Sequence, residues 1–406
     1  MNTLPNGGAT SATGFSASFL VSGIKKSGKP DLALLISRVP ATAECATTKN
    51  KLCAAPVKWC RQVSEMRAKV KGVLVNSGNA NAATGEQGMN NCKKMAELTA
   101  AQLECDPLDI FVCSTGVIGR QLPMEKVEQG ISRISDGLSE TEKAGNDFSR
   151  AILTTDLVQK QIAVSIDIAG KQVIIGGCCK GSGMIHPNMA TMLAYVTTDA
   201  AISKAALKKA FQNALTLSFN RITVDGDTST NDTLILLANG LAENKEIQPD
   251  TVDYTAFSDA LVFVFTELAK MIVKDGEGAT KFVSITVNGA PSEKDADTAA
   301  RAIAHSPLVK TALFGNDPNC MGRIMAALGY SGSVIEPDQC HLTVAGIKLV
   351  QKGVPLQIDV KAAGEHLKIS KNIDIVIECN QGSSQATIYT CDFSYDYVKI
   401  NAEYTT

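Results

Sequence analysis

The chain has 406 residues, 45% hydrophobic and 20% charged, with 39 Lys and Arg against 41 Asp and Glu for a net charge of −2. That balance describes an ordinary globular protein. It excludes the basic, aromatic-interleaved surface of a nucleic-acid binder, since the chain carries only 12 Phe, 7 Tyr and a single Trp. No apolar run approaches the roughly 18 residues of a membrane span, and the length suits two domains or one large α/β unit.

The 12 cysteines are scattered, with Cys178 and Cys179 adjacent and no Cys-x-x-Cys pair. They read as reduced thiols packed as small hydrophobes. Zinc-ligand spacings are missing, and His186, His305, His341 and His366 do not cluster, so no metal or other cofactor is expected. The first thirty residues contain no acid and are rich in Ser, Thr and Gly, a faint likeness to an organelle transit peptide. Arginine is absent until Arg38, however, and Gly14-Phe15 to Leu34-Leu35 already reads as folded body. The cytoplasm is the expected location, or the mitochondrial matrix in a eukaryotic host.

Residues 31–38 and 71–76 are short apolar runs bounded by turn residues, hence strands. The Asn- and Gly-rich stretch Asn76 to Gly85 predicts a tight, hydrogen-bonded loop, either structural or pocket-forming, followed by a helix over 88–104. Residues 110–120 give a strand ending at Ser114-Thr115-Gly116. The 3, 4, 3, 4 spacing of Met124, Val127, Ile131, Ile134 and Leu138 then predicts a helix with Pro123 in its first turn. Between strand and helix, Thr115-Gly116 is an ordinary turn or a hydroxyl and N–H donor pair for an oxyanion.

Ile162, Val164, Ile166 and Ile168 alternate, Ala169-Gly170 turns the chain, and Val173 to Ile175 return it as a hairpin leading to Lys180. Ser203 is the expected N-cap of a helix burying Leu207, Ala210, Phe211, Ala214 and Ser218. The acidic stretch Val224 to Asp232 fails as a calcium loop, because its glycine falls at the second position and Leu236 stands where Glu is needed. It reads instead as a polar loop supporting a site. Residues 254–274 predict a strongly apolar helix. Glu277, between Gly276 and Gly278, is either a solvated loop acid or a carboxylate facing a cationic substrate. From 341 to 398 the chain reads mostly as alternating strand, ending in a polar tail.

Gly181 to Pro187 form a glycine- and proline-containing loop that runs into Asn188-Met189-Ala190-Thr191 and then the apolar Met192 to Val196. A threonine hydroxyl is a weak nucleophile that needs an adjacent base. Attack of Thr191 on the Ala190 carbonyl would release an α-amine of reference pKa about 7.7–8.0, uniting nucleophile and base in one residue. A threonine in this position is more often simply the first residue of a strand, and His186, five residues earlier, either lines a site or is structural or solvent-facing.

Taken together, Val75 to Ala82, Ser114 to Gly119, Lys180 to Ile185, Pro187 to Met192, Val224 to Asp232, Asp275 to Lys281 and the end from Tyr395 to Thr406 resemble the ornithine acetyltransferase family. This is the bifunctional glutamate N-acetyltransferase/amino-acid acetyltransferase family of arginine biosynthesis. The resemblance runs from about Gly14 to the end. It implies an α/β fold of mixed sheets layered with helices, in an N-terminal-nucleophile-like, self-processing enzyme of the ornithine acetyltransferase/DmpA-like type. Cleavage between Ala190 and Thr191 would give an α chain, 1–190, and a β chain, 191–406, paired as a heterodimer and further as a heterotetramer.

The resemblance also implies roles for single residues. Thr191 falls on the nucleophile and Thr115 and Gly116 on the oxyanion pair. Lys180, Thr191, Glu277, Asn401, Thr406 and one of Thr154 and Thr155 fall on substrate contacts. The implied reaction moves acetyl from N²-acetylornithine to glutamate through acetyl-Thr191, and leaves open whether acetyl-CoA is a second donor. The alternatives are an N-terminal-nucleophile amidase or aminopeptidase, and a non-catalytic amino-acid-binding homologue. One departure stands out. Family members carry Trp-Gly-Arg after Asp-Pro-Asn, whereas Asp317-Pro318-Asn319 is followed here by Cys320-Met321-Gly322-Arg323, one residue longer.

Overall fold

Leu32 to Leu35 are buried without interruption, the mark of a strand covered on both faces. They open a strand far longer than expected. In the structure, a computed structural model that describes residues 1–186 and 192–403, β3 runs Leu32–Thr47 straight through Pro40. Its pairing with β4 (Lys69–Asn79) shifts register between Ile36 and Ala41, so the proline sits at an irregularity and costs no ladder bond in the regular pairing. The first half of β3 also pairs β2 (Phe15–Leu20), and the second half pairs β9 (Thr233–Ala238).

The chain divides into two compact units. The first comprises Met1–Asn220 and Asp227–Ile272. Its sheet has the order β1-β6-β7-β8-β9-β3-β4-β5, with β2 on β3. The remaining strands are β1 (Asn2–Thr3), β5 (Ile110–Val117), β6 (Lys160–Ile168), β7 (Lys171–Lys180) and β8 (Leu193–Thr198). β4 with β5 and β8 with β9 are parallel pairs and the rest antiparallel.

Against the sheet pack α1 (Ala55–Met66), α2 (Gly85–Gln102), α3 (Met124–Ile134), α4 (Glu142–Ala151) and α5 (Lys204–Leu217). Phe257, Leu261, Phe265, Leu268 and Ile272 of α6 (Val252–Lys274) are fully buried, each contributing about 1.5–3 kcal/mol by burial. Phe265 meets the ring edge of Phe211 on α5 at 5.9 Å.

The second unit comprises Arg221–Gly226 and the chain from Val273. Its sheet has the order β13-β12-β11-β14-β10-β15, built from β10 (Phe282–Ala290), β11 (His341–Val344), β12 (Ile347–Gln351), β13 (Val354–Pro355), β14 (Asn372–Glu378) and β15 (Ser384–Cys391). Ala296, Ala299, Ala300 and Ile303 of α7 (Glu293–His305) share one core with Val283, Ile285 and Ile388 of the sheet. α8 (Pro307–Phe314) and α9 (Met321–Gly329) contribute Val309, Leu313, Ile324 and Leu328 to it.

The α/β architecture of mixed sheets and helices therefore stands, as do the hairpin turn at Ala169-Gly170 and the Ser203 cap, whose side chain accepts from the Ala206 N–H. Three local expectations change. Asn76 to Asn79 continue β4 instead of forming a loop. Leu138 lies beyond α3, because Ser135-Asp136-Gly137 prefer a tight turn to helix and form one. The 341–398 region includes two helices, α10 (Val360–Ile369), capped by Asp359, and α11 (Tyr395–Glu403), which takes up most of the expected tail. α10 buries only Ala363 and Leu367 and α11 buries nothing, so neither writes a helical period into the sequence.

Candidate active site

Thr115 and Gly116 lie within the last pairs of β5 and not in a turn, opposite Ser77 and Gly78 of β4. Gly116 has a φ of +132°, and a Cβ there would stand 2.4 Å from the carbonyl carbon of Gly78. Only glycine lets the two backbones approach so closely. The strand end is pinned by buried amides. Asn76 donates to the Asn79 carbonyl at 2.8 Å, and the Ser114 hydroxyl donates to Asn76 Oδ1 at 2.5 Å.

Asn231 ties this end to the neighbourhood of the central loop. Its amide donates to the carbonyls of Ala80 at 2.6 Å and Ser114 at 2.8 Å. Two residues on, Thr233 opens β9 opposite Leu193 of β8, and its N–H donates to the Met192 carbonyl at 2.9 Å. Met192 directly follows Thr191 in the chain and Ser114 directly precedes Thr115. Within the acidic stretch, Asn231 thus holds the ends of β4 and β5 by hydrogen bonds. Ala190, Thr191 and Thr406 lie outside the described residues.

Lys180 ends β7, paired with Leu193. Its ammonium is 3.8 Å from Asp156 Oδ2, beyond hydrogen-bond reach. Asp156 is a group the sequence reading missed. Its Oδ1 accepts from Lys160 Nζ and from the Gly181 N–H, both at 2.7 Å, and its Oδ2 accepts from the Thr154 N–H at 3.0 Å. The side chains of Asp156 and Lys160 are wholly shut off from solvent. Burial opposes ionisation of Asp156, but the ammonium groups of Lys180 and Lys160 and the Gly181 N–H outweigh it and hold the carboxyl far below its ordinary range. Thr154 and Lys180 are thereby gathered at one carboxylate.

The threonine turn also connects to the strand ends. Ser77 Oγ, opposite Thr115, donates to the Ala151 carbonyl at 2.5 Å, and Ala151 closes α4 three residues before Thr154. Lys25 Nζ donates to the same carbonyl at 3.3 Å and to that of Pro30 at 2.8 Å.

In the second unit, Glu277 is buried, not solvated. Its Oε2 accepts from Asn401 Nδ2 at 2.9 Å, bringing two sequence-predicted contacts together. Asn401 lies on α11, and the same amide also donates to the Tyr397 carbonyl at 3.0 Å. Gly278 makes the close packing possible, since a Cβ at its φ of +69° would stand 2.5 Å from the Tyr397 nitrogen. Asp392 fastens the segment by accepting from the N–H groups of Thr280 at 2.8 Å and Lys281 at 2.9 Å.

The sequence model of the ArgJ family matches residues 16–406. The chain belongs to the ArgJ family. It is 48% identical over 402 residues to the arginine biosynthesis bifunctional protein ArgJ of Symbiobacterium thermophilum, covering 98% of this chain and 99% of that protein. Against the protein of the same name from Caldanaerobacter subterraneus subsp. tengcongensis it is 47% identical, covering 97% of each. The crystal structure of arginine biosynthesis bifunctional protein ArgJ from Bacillus halodurans matches with a TM-score of 0.51 and 40% identity. That match covers 53% of this chain and 100% of that one.

The Asp317 to Arg323 stretch forms a helix start. Asp317 caps a short 3-10 turn, Pro318–Cys320, by accepting from the Asn319 N–H, and α9 follows directly. Cys320 is buried, which pushes its thiol up to about 12. Arg323 donates to the Leu308 carbonyl at 2.7 Å.

Proposed function

We propose that this ArgJ-family chain transfers an acetyl group from N²-acetylornithine to glutamate through an ester on Thr191. Acetyl transfer in arginine biosynthesis is the activity consistent with its relatives. The observation that carries the residue-level reading is the Met192–Thr233 and Asn231–Ser114 pair of hydrogen bonds. It links the residue after Thr191 to the residue before Thr115.

In the proposed sequence, the Thr191 hydroxyl attacks the Ala190 carbonyl, the peptide bond becomes an ester, and water opens it. Thr191 gains a free α-amine. That amine then takes the hydroxyl proton as Thr191 attacks the acetyl carbonyl of acetylornithine. The developing oxyanion is met by the Thr115 hydroxyl and the Gly116 N–H. The proton passes to the leaving amine of ornithine, and the glutamate α-amine attacks the acetyl ester to give N-acetylglutamate and restore Thr191.

Lys180, with no hydrogen bond from its ammonium among the described residues, is assigned the substrate α-carboxylate. Glu277 is assigned the side-chain ammonium of ornithine, with Asn401 holding the carboxylate, and one of Thr154 and Thr155 together with Thr406 completes the contacts. The resulting α and β chains form a heterodimer that pairs again, acting in the cytoplasm. No helix among the described residues is long and apolar enough to cross a membrane.

A denaturing intact-mass spectrum of the wild type beside Thr191→Ala tests this reading. Two polypeptides meeting at Ala190/Thr191, with the variant whole, are expected, together with acetyl transfer from acetylornithine to glutamate. An acetyl-CoA assay beside it reads the second donor. An uncut, folded wild type would overturn the reading.

A further inference from the structure

Buried acids are rare unless paired, and a carboxylate that needs only a charge partner would be satisfied by one lysine. Asp156 has that partner in Lys160 at 2.7 Å, yet its remaining acceptor positions are spent elsewhere. One reaches the backbone of Gly181, the first residue after β7 and the start of the loop that leads to Ala190-Thr191. Another holds the backbone of Thr154, and the same oxygen faces Lys180 at 3.8 Å. The arrangement leaves the Lys180 ammonium close to a counter-charge without consuming its donors.

We propose that Asp156 is a positioning residue for both self-processing and substrate binding. It sets the start of the cleavage loop through Gly181 and the substrate contacts through Thr154 and Lys180. The inference rests on the proposed function for what those groups contact, and on the structure for the fact that one carboxylate holds them. Because a shift of about 1 Å in a reacting group can cost about a hundredfold in rate, a carboxylate gripping both segments acts on chemistry that it never touches.

A purely structural role for Asp156 would be to neutralise buried Lys160, and paired variants separate the two roles. Asp156→Asn alone strands a buried ammonium and is expected to unfold readily. Asp156→Asn with Lys160→Met removes both charges, and Asp156→Glu keeps the charge but displaces the oxygens by one methylene. The full chain is followed by denaturing mass for the uncut fraction, by thermal melting for fold, and by calorimetry for ornithine binding.

Expected for the double variant and for Asp156→Glu is melting within a few degrees of wild type, with processing at least tenfold slower and ornithine bound at least tenfold more weakly. Either variant processing and binding as wild type does would overturn the proposal. Both variants failing to fold would also overturn it, making Asp156 a structural residue. An uncut wild type would instead overturn the proposed function, while ornithine binding would still read the effect of Asp156 on Lys180 and Thr154.

Discussion

Glu277 and Asn401 stand 124 residues apart in the chain and share a 2.9 Å hydrogen bond. The bond uses one oxygen of a buried carboxylate and fixes its orientation, while a carboxylate has further acceptor positions for a cationic ligand. Charge-assisted hydrogen bonds contribute about 1.5–3 kcal/mol, so Glu277→Gln is expected to raise KM for acetylornithine by roughly ten- to a hundredfold. Steady-state kinetics with an unchanged KM would remove Glu277 from the ornithine contacts.

How much of this was legible in the sequence depends on whether the partner was nearby. Thr115, Gly116 and Lys180 sit near the ends of strands whose apolar runs mark them, so both motif and element were readable. Glu277 was readable as a motif residue but not as buried, because what covers it arrives from α11, a helix that buries no residue of its own. Asp156 carries no motif that the sequence alone would single out. Its importance comes from Lys160, Lys180 and Gly181, and the hairpin pairing of β6 with β7 brings these together. The length of β3 was hidden by Pro40, a residue that ends strands unless a register shift accommodates it.

The oxyanion assignment predicts different failures at its two residues. Thr115→Val conserves shape at a buried strand position and removes only the hydroxyl, so melting should hold within a few degrees. Loss of an oxyanion donor should lower kcat by about 10²–10³. Gly116→Ala places a methyl 2.4 Å from the Gly78 carbonyl carbon at a φ that side chains rarely adopt, so it should cost stability as well as turnover. Thermal melts beside kcat for both variants check this. A Thr115→Val enzyme of normal kcat would exclude that hydroxyl from the oxyanion site.

Asn231 offers a prediction about polarity. Its amide donates to two buried carbonyls, those of Ala80 and Ser114. Asn231→Ala leaves both unpaired, at about 1–3 kcal/mol for each orphaned group. Asn231→Asp keeps the size but turns the donor into an acceptor facing carbonyl oxygens. It should be at least as destabilised as the alanine variant, and urea denaturation ranks the two. A stable aspartate variant would mean that the side chain only fills space.

Lys25 predicts a pH dependence whose sign follows from its surroundings. Burial lowers its pKa to about 8, with Lys180 and Lys29 adding to the effect and Asp31 and Asp156 opposing it. In the unfolded chain a lysine titrates near 10.4. Below pH 8 both states hold the proton, and the folded state bears the full cost of a half-buried ammonium. Between about 8 and 10.4 the unfolded chain binds more protons than the native one, so the Lys25 contribution to stability rises with pH. Lys25→Met has no such group. Urea midpoints of wild type and Lys25→Met at pH 7.5 and pH 10 should therefore diverge in favour of the wild type as pH rises. A constant difference would show that the Lys25 ammonium keeps its ordinary pKa beside Lys180.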